Sequence, residues 1–66
     1  MTFSELLAGY LGRTIEVFQQ NQFFTGVLVQ VEDTFFVISQ SDGTYNNPPI
    51  NITILNSSVE FVRILT

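Results

Sequence analysis

Two neighbouring segments of this 66-residue chain are apolar at successive positions, and this feature constrains the fold more than any other. They run from Phe23 to Val31 and from Thr34 to Gln40. β-Branched and aromatic residues dominate both, which predicts strands. A strand in an antiparallel sheet with one wet face alternates apolar with polar residues, whereas these segments are apolar on both faces. Both faces of the predicted sheet must therefore be covered, by the fold itself or by another subunit.

Successive side chains of a strand point to opposite faces, and this alternation predicts which residues lie together. In the first segment, Val27, Val29 and Val31 are predicted to share one face, and Phe24 and Leu28 the opposite face. In the second segment, Phe35 and Val37 are predicted to share one face, and Phe36 and Ile38 the other. Gly26 interrupts the first segment. A glycine inside a strand predicts a bulge or a sharp bend, which would help to curl the sheet into a barrel.

The remaining elements follow from changes of period along the chain. Thr2 and Glu5 form a capping-box pattern, and the apolar spacing after it predicts a short helix over about 3–9. The predicted strands cover about 13–19, 23–32, 34–40, 50–55 and 59–65, with turns between them and a loop over 41–49. One helix followed by five short antiparallel strands predicts an all-β fold, a small and strongly bent barrel that occupies residues 1–66 as a single domain.

Composition favours self-association of such a domain. A chain of this length buries only about 60% of its unfolded surface, and without cysteine it cannot gain disulfides. Hydrophobic residues make up 45% of the chain and charged residues only 12%. Packing of two uncharged surfaces against each other costs little free energy, because no charge has to be desolvated. We therefore expect a homo-oligomer, in a ring or an open assembly; a neutral monomer surface and an extended peptide docked on a strand edge are the alternatives.

The charged residues argue against several classes of function. The net charge is −4, lysine is absent, and Arg13 and Arg63 are the only basic side chains, so nucleic-acid binding is not expected. Histidine and cysteine are also absent, which removes most nucleophile–base pairs and metal sites. We predict no enzyme activity, no cofactor and no catalytic or metal-binding residues. The N-terminus lacks the features of a signal peptide and no apolar run is long enough to span a membrane, so we expect a cytoplasmic protein. Incorporation into a spore or into an assembly that cell lysis releases is the alternative.

The first half of the chain resembles the first motif of the Sm-like (Lsm) superfamily. The resemblance covers about residues 3–38 and includes a glycine two positions before a leucine in the second strand, followed by an acidic residue and an apolar third strand. Gly26, Leu28 and Glu32 occupy these positions. The resemblance implies that the barrel is an SH3-like or Sm-like barrel, and it implies rings in which the fourth strand of one subunit pairs with the fifth of the next.

The same resemblance implies RNA binding only weakly, because the residues expected to contact RNA are replaced. Phe36 stands where the family has an asparagine, and Asn56-Ser57-Ser58 stands near the place of the second motif. An Sm-like RNA-binding protein with a degenerate RNA site is therefore the alternative function. The run from Leu11 to Ile38 also resembles small proteins of spore-forming Firmicutes, which implies a bacterial and spore-associated role.

The sequence thus predicts a non-enzymatic, self-associating module that acts as a structural or scaffold protein. The candidate interface residues are Phe24, Phe36, Ile38, Ile52, Ile54, Phe61 and Arg63. No residue is assigned to RNA binding.

Overall fold

The computed structural model describes residues 2–41 and 48–65. Its elements are the helix α1 (Phe3–Ala8) and the strands β1 (Thr14–Gln19), β2 (Gln22–Val31), β3 (Phe35–Gln40), β4 (Ile50–Leu55) and β5 (Val59–Ile64), with a 3-10 turn over Asn56–Ser58. The predicted all-β fold, one short helix followed by five antiparallel strands, is confirmed. Most of the predicted loop between β3 and β4, residues 42–47, lies outside the described residues.

The helix begins at the predicted capping box. The Thr2 hydroxyl accepts a hydrogen bond from the Glu5 N–H at 3.1 Å, and the Glu5 carboxylate accepts one from the Thr2 N–H at 3.3 Å. Two N–H groups that have no partner inside the helix are satisfied in this way. The helix ends before Gly9 and buries Leu7 against the sheet. A helix of this length has little stability by itself, so its position depends on that contact.

The five strands form one sheet in the order β4-β3-β2-β1-β5, and this sheet is not closed. The predicted barrel is therefore an open sheet, in which β4 and β5 are edges that pair with β3 and β1 respectively. The strand β2 is the longest, with ten residues, and pairs with β1 along its first part and with β3 along its second. The two halves of the sheet are offset along β2, and the described strands leave both outer edges without a neighbour.

The core lies on the face of the sheet that α1 covers. It contains fully or nearly fully buried side chains from the helix and four strands: Leu7, Ile15, Val17, Leu28, Phe36, Ile38 and Ile54. Val62 and Ile64 of β5 pack against the margin of this core. We call this side of the sheet the core face and the opposite side the outer face.

A β-bulge in β2 corrects the predicted faces of that strand. Leu28 pairs with Ile38 and Gln30 pairs with Val37, so Val29 is an extra residue with no direct partner. Val27 and Val29 lie exposed on the outer face, but the extra residue reverses the alternation and turns Val31 toward the core. The prediction that all three valines share one face was therefore wrong.

The bulge lies beyond Gly26, so this glycine does not form it, and a sharp bend at Gly26 stays a prediction. Gly26 is buried and lies opposite Ile15 of β1. A Cβ atom at this position would stand 2.7 Å from the Ser39 carbonyl oxygen of β3 and 3.3 Å from Ile38 Cβ. Only glycine allows β2 and β3 to come this close.

Candidate functional site: the open edges of the sheet

The open edge of β4 offers backbone groups that no described residue uses as ladder partners. The Asn56 N–H donates to the Thr34 carbonyl at 2.9 Å, which continues the β3–β4 ladder by one residue. Successive residues of an antiparallel strand direct their N–H and C=O groups to opposite sides. Asn51, Thr53 and Leu55 therefore direct theirs away from β3, toward the open edge.

The open edge of β5 has the opposite arrangement. The Leu65 N–H donates to the Thr14 carbonyl at 3.0 Å, so Arg63 and Phe61 direct their backbone groups to β1. Val62 and Ile64 direct theirs to the open side. On β5 the residues with free backbone groups have core-face side chains, whereas on β4 they have outer-face side chains.

Both edges carry exposed apolar side chains. Ile50 and Leu55, at the two ends of β4, are 66% and 55% exposed, and Phe61 of β5 is 55% exposed. Leu55 lies opposite Phe35 on the outer face. Exposed apolar groups at the edge of a sheet are typical of surfaces that bind another chain.

An aromatic cluster lies on the outer face at the β1–β2 hairpin. The Phe18 ring stacks on Phe61 with centroids 4.2 Å apart and contacts Phe23 in a tilted arrangement at 4.8 Å. Next to this cluster, Arg63 forms an ion pair with Glu16 on the neighbouring strand. The ion pair holds one of the two basic groups of the chain on the outer face. It contributes at most about 1 kcal/mol to the free energy of unfolding, because Arg63 is solvent-exposed.

A small apolar cleft, which we call the edge cleft, lies between α1 and β5 on the core face. Its volume is about 130 Å³, and it is lined by Phe3, Leu6, Leu7, Val62 and Ile64. Phe3 and Leu6 remain largely exposed although they face this cleft. The helix therefore covers the core without filling the space beside the β5 edge.

The predicted interface residues fall into two groups. Phe36 and Ile38 are fully buried, Ile54 is nearly so, and Phe24 is half-buried against the same core, so these four pack within the subunit. Ile52 of β4 is partly buried and packs against this core as well. Phe61 and Arg63 lie exposed on the outer face of the edge strand β5. The structure thus leaves two of the candidates exposed on an edge strand and packs the other five within the subunit.

Sequence reasoning missed Leu55 and the edge cleft. The strand β4 alternates from Ile50 to Ile54, and Leu55 breaks the alternation by placing a second apolar residue in succession. That break was a usable signal, because an apolar residue out of phase with the core faces the other side of the sheet. The cleft has no comparable signal, since it depends on how far α1 lies from β5.

A polar hollow of about 570 Å³ lies beside the β1–β2 hairpin and the 3-10 turn, lined by Gln19, Gln20, Gln22, Ser57, Ser58, Val59 and Glu60. The Gln19 side-chain amide donates to Gln22 at 3.3 Å, and its oxygen is buried without a described hydrogen-bond partner. Over residues 2–41 and 48–65, no three acidic side chains come together as metal ligands would.

Comparison of the chain with protein-family models, curated proteins and solved structures gives no match. In the part of the chain that the structure describes, no helix has the length and apolar character needed to cross a membrane.

Proposed function

We propose that the protein is a non-enzymatic module that associates with copies of itself through the open edges of its sheet and acts as a structural or scaffold protein. The observation that carries this proposal is the pair of sheet edges, β4 and β5, whose outer sides no described strand covers. Proteins that remain monomeric usually block edge strands with lysine, proline, charge or a covering segment. The β4 strand, Ile50–Leu55, contains none of these residues and exposes apolar side chains at both of its ends.

Hydrogen bonding adds to the apolar contribution. The residues Asn51, Thr53 and Leu55 have backbone groups directed to the open side of β4, and Val62 and Ile64 have them on β5. A net stabilisation of about 0.5–1.5 kcal/mol for each bond formed would make a short ladder significant for a chain of this size. The resemblance to Sm-like proteins implies the same two strands as the contact. The resemblance to proteins of spore-forming Firmicutes supports a role that includes incorporation into spores.

The RNA-binding alternative has weaker support. Phe36, which occupies the position of the family's RNA-contacting asparagine, is fully buried and offers no ring for a base to stack on. Of the two arginines, Arg63 is engaged with Glu16. Salt-sensitive retention of a U-rich or A-rich oligonucleotide would favour this alternative instead.

Size-exclusion chromatography with light scattering at low micromolar concentration tests the proposal. A single oligomer is expected for the parent protein, and a clean monomer would refute it. Thr53→Lys places a charge at the open edge of β4. We expect it to raise the dissociation constant of the oligomer at least about tenfold, because burial of an unpaired charge between two paired edge strands costs free energy. Thr34→Lys introduces the same charge in the exposed β2–β3 turn and should leave the oligomer intact.

Co-purification separates self-association from binding of a foreign strand. A complex that contains a second protein in place of further copies of this chain would support the peptide-docking alternative.

A further inference from the structure

We propose that the edge cleft is the receptor for Leu55 of a second copy. The contact rests on the self-association proposed above and specifies which faces of two copies meet. The 55% exposed Leu55 side chain of one β4 strand enters the cleft between α1 and β5 of the next copy.

The number of strands in the sheet determines how β4 of one copy can pair with β5 of another. All neighbouring strands of the sheet are antiparallel, so with five strands the two edges, β4 and β5, run in the same direction. The backbone groups that are free on β4 belong to outer-face residues, and those that are free on β5 belong to core-face residues. A β5 strand of a second copy can become antiparallel to β4 at its open edge only if that copy is turned over.

Turning the copy over joins the outer face of one subunit to the core face of the other. In an antiparallel pair the two residues that exchange hydrogen bonds lie directly opposite each other and share a face. Thr53 and Leu55 must then lie opposite core-face residues of the neighbouring β5, Ile64 and Val62. Both of these line the edge cleft. Leu55 opposite Val62 is the register that also leaves the Glu60 carboxylate beyond the end of β4, outside the closed seam.

The cleft and its occupant match in size and chemistry. The cleft has a volume of about 130 Å³, and the residues that line it are all apolar: Phe3, Leu6, Leu7, Val62 and Ile64. Apolar cavities of about 150 Å³ accept a group as large as benzene, so the cleft accepts an isobutyl side chain. Burial of the Leu55 side chain in this way removes one exposed apolar group from each copy and covers Phe3 and Leu6 at the same time.

Pairing of β4 with β5 of a second copy covers more of the exposed apolar surface than the symmetric pairings do. Pairing of β4 with β4 leaves the cleft open, and pairing of β5 with β5 leaves Leu55 and Ile50 exposed. A repeated β4-to-β5 contact covers both edges of every internal copy. The uncharged β4 strand also meets Arg63 of β5 without any like-charge contact.

Disulfide trapping tests the contact on a chain that has no cysteine of its own. Leu55→Cys chains are co-expressed with Val62→Cys chains and oxidised mildly, so that any mixed disulfide joins two copies. The matched control pairs Leu55→Cys with Phe61→Cys. Phe61 is as exposed as Leu55 but lies on the outer face. We expect at least about tenfold more 55–62 than 55–61 disulfide, because successive residues of β5 point to opposite faces and cysteines whose Cβ vectors point apart do not bridge without backbone movement.

Light scattering of the same samples distinguishes the two proposals. If the parent oligomer forms but 55–61 or 62–62 disulfides dominate, or none forms, the cleft is not the receptor for Leu55 while self-association stands. If every sample is monomeric, the proposed function itself fails.

Discussion

Replacement of Gly26 by alanine tests the tightest backbone contact in the molecule. The added Cβ would lie 2.7 Å from the Ser39 carbonyl oxygen, whereas ordinary contacts begin at 3.4 Å. The strands β2 and β3 must therefore separate by about 0.7 Å at this point. A ladder bond of 2.9 Å lengthened by that amount no longer satisfies hydrogen-bond geometry.

We expect Gly26→Ala to lower the free energy of unfolding by about 1–3 kcal/mol. Overpacking of a close contact costs about 1–3 kcal/mol and a weakened ladder bond about 0.5–1.5 kcal/mol, while the lower entropy of the unfolded alanine chain returns about 0.4–1 kcal/mol. A chain of this length has a total stability of roughly 3–10 kcal/mol, so the loss is a large fraction of it. With a slope near 1 kcal/mol/M, the urea midpoint falls by about 1–3 M.

Two other glycines serve as controls in the same urea experiment, at a fixed protein concentration because association shifts apparent stability. Gly9 has ordinary helical φ and space for a Cβ, so Gly9→Ala should be neutral or stabilise by up to about 1 kcal/mol. Gly12 has open space but a φ of +87°, so Gly12→Ala should destabilise by about 1 kcal/mol through backbone strain alone. A Gly26→Ala protein as stable as the parent would refute the close-contact argument.

Two further changes probe the packing around the site. The Asn56 side chain donates to the Ser4 hydroxyl at 3.0 Å and to the Asp33 carbonyl at 3.1 Å, so Asn56→Ala should cost about 1–2 kcal/mol in thermal or urea unfolding, and the exposed Ser57→Ala should cost nearly nothing. Phe18→Leu keeps an apolar side chain but loses both ring contacts of the aromatic cluster, which should cost about 1–3 kcal/mol, whereas Phe35→Leu loses no ring contact with any described residue; equal losses for these two variants would contradict the assigned role of the cluster.

Local patterns were enough to predict the elements of this fold. The Thr2–Glu5 capping box begins the helix, and alternation marks β1 and β4 clearly, because each of these signals depends on residues close together in the chain. The turn at Gln20-Asn21 was also predictable from its polar residues, and Asn21 has the positive φ, 60°, that asparagine tolerates well.

Features that depend on pairing could not be predicted in the same way. Val27, Val29 and Val31 fit a regular strand as well as a bulged one, and only the register against β3 shows that Val31 faces the core. Closure of the sheet depends on the angle between β4 and β5, which no local pattern encodes. The prediction of interface residues failed in part for the same reason. Phe36 and Ile38 are apolar residues in the middle of a strand, and the structure buries them in the core of the subunit.

The anchor of α1 has a consequence for the order of folding. The Ser4 hydroxyl donates to the Glu32 carbonyl at 2.7 Å and accepts from the Asn56 side chain. One hydroxyl group therefore joins α1 to two segments that lie 28 and 52 residues further along the chain. Long closures of this kind form only after most of the chain is in place. We therefore expect α1 to dock late, after β2, β3 and the 3-10 turn have come together. Because α1 supplies one wall of the edge cleft, that cleft exists only on a completed subunit, so a partly folded chain cannot present it to a neighbour.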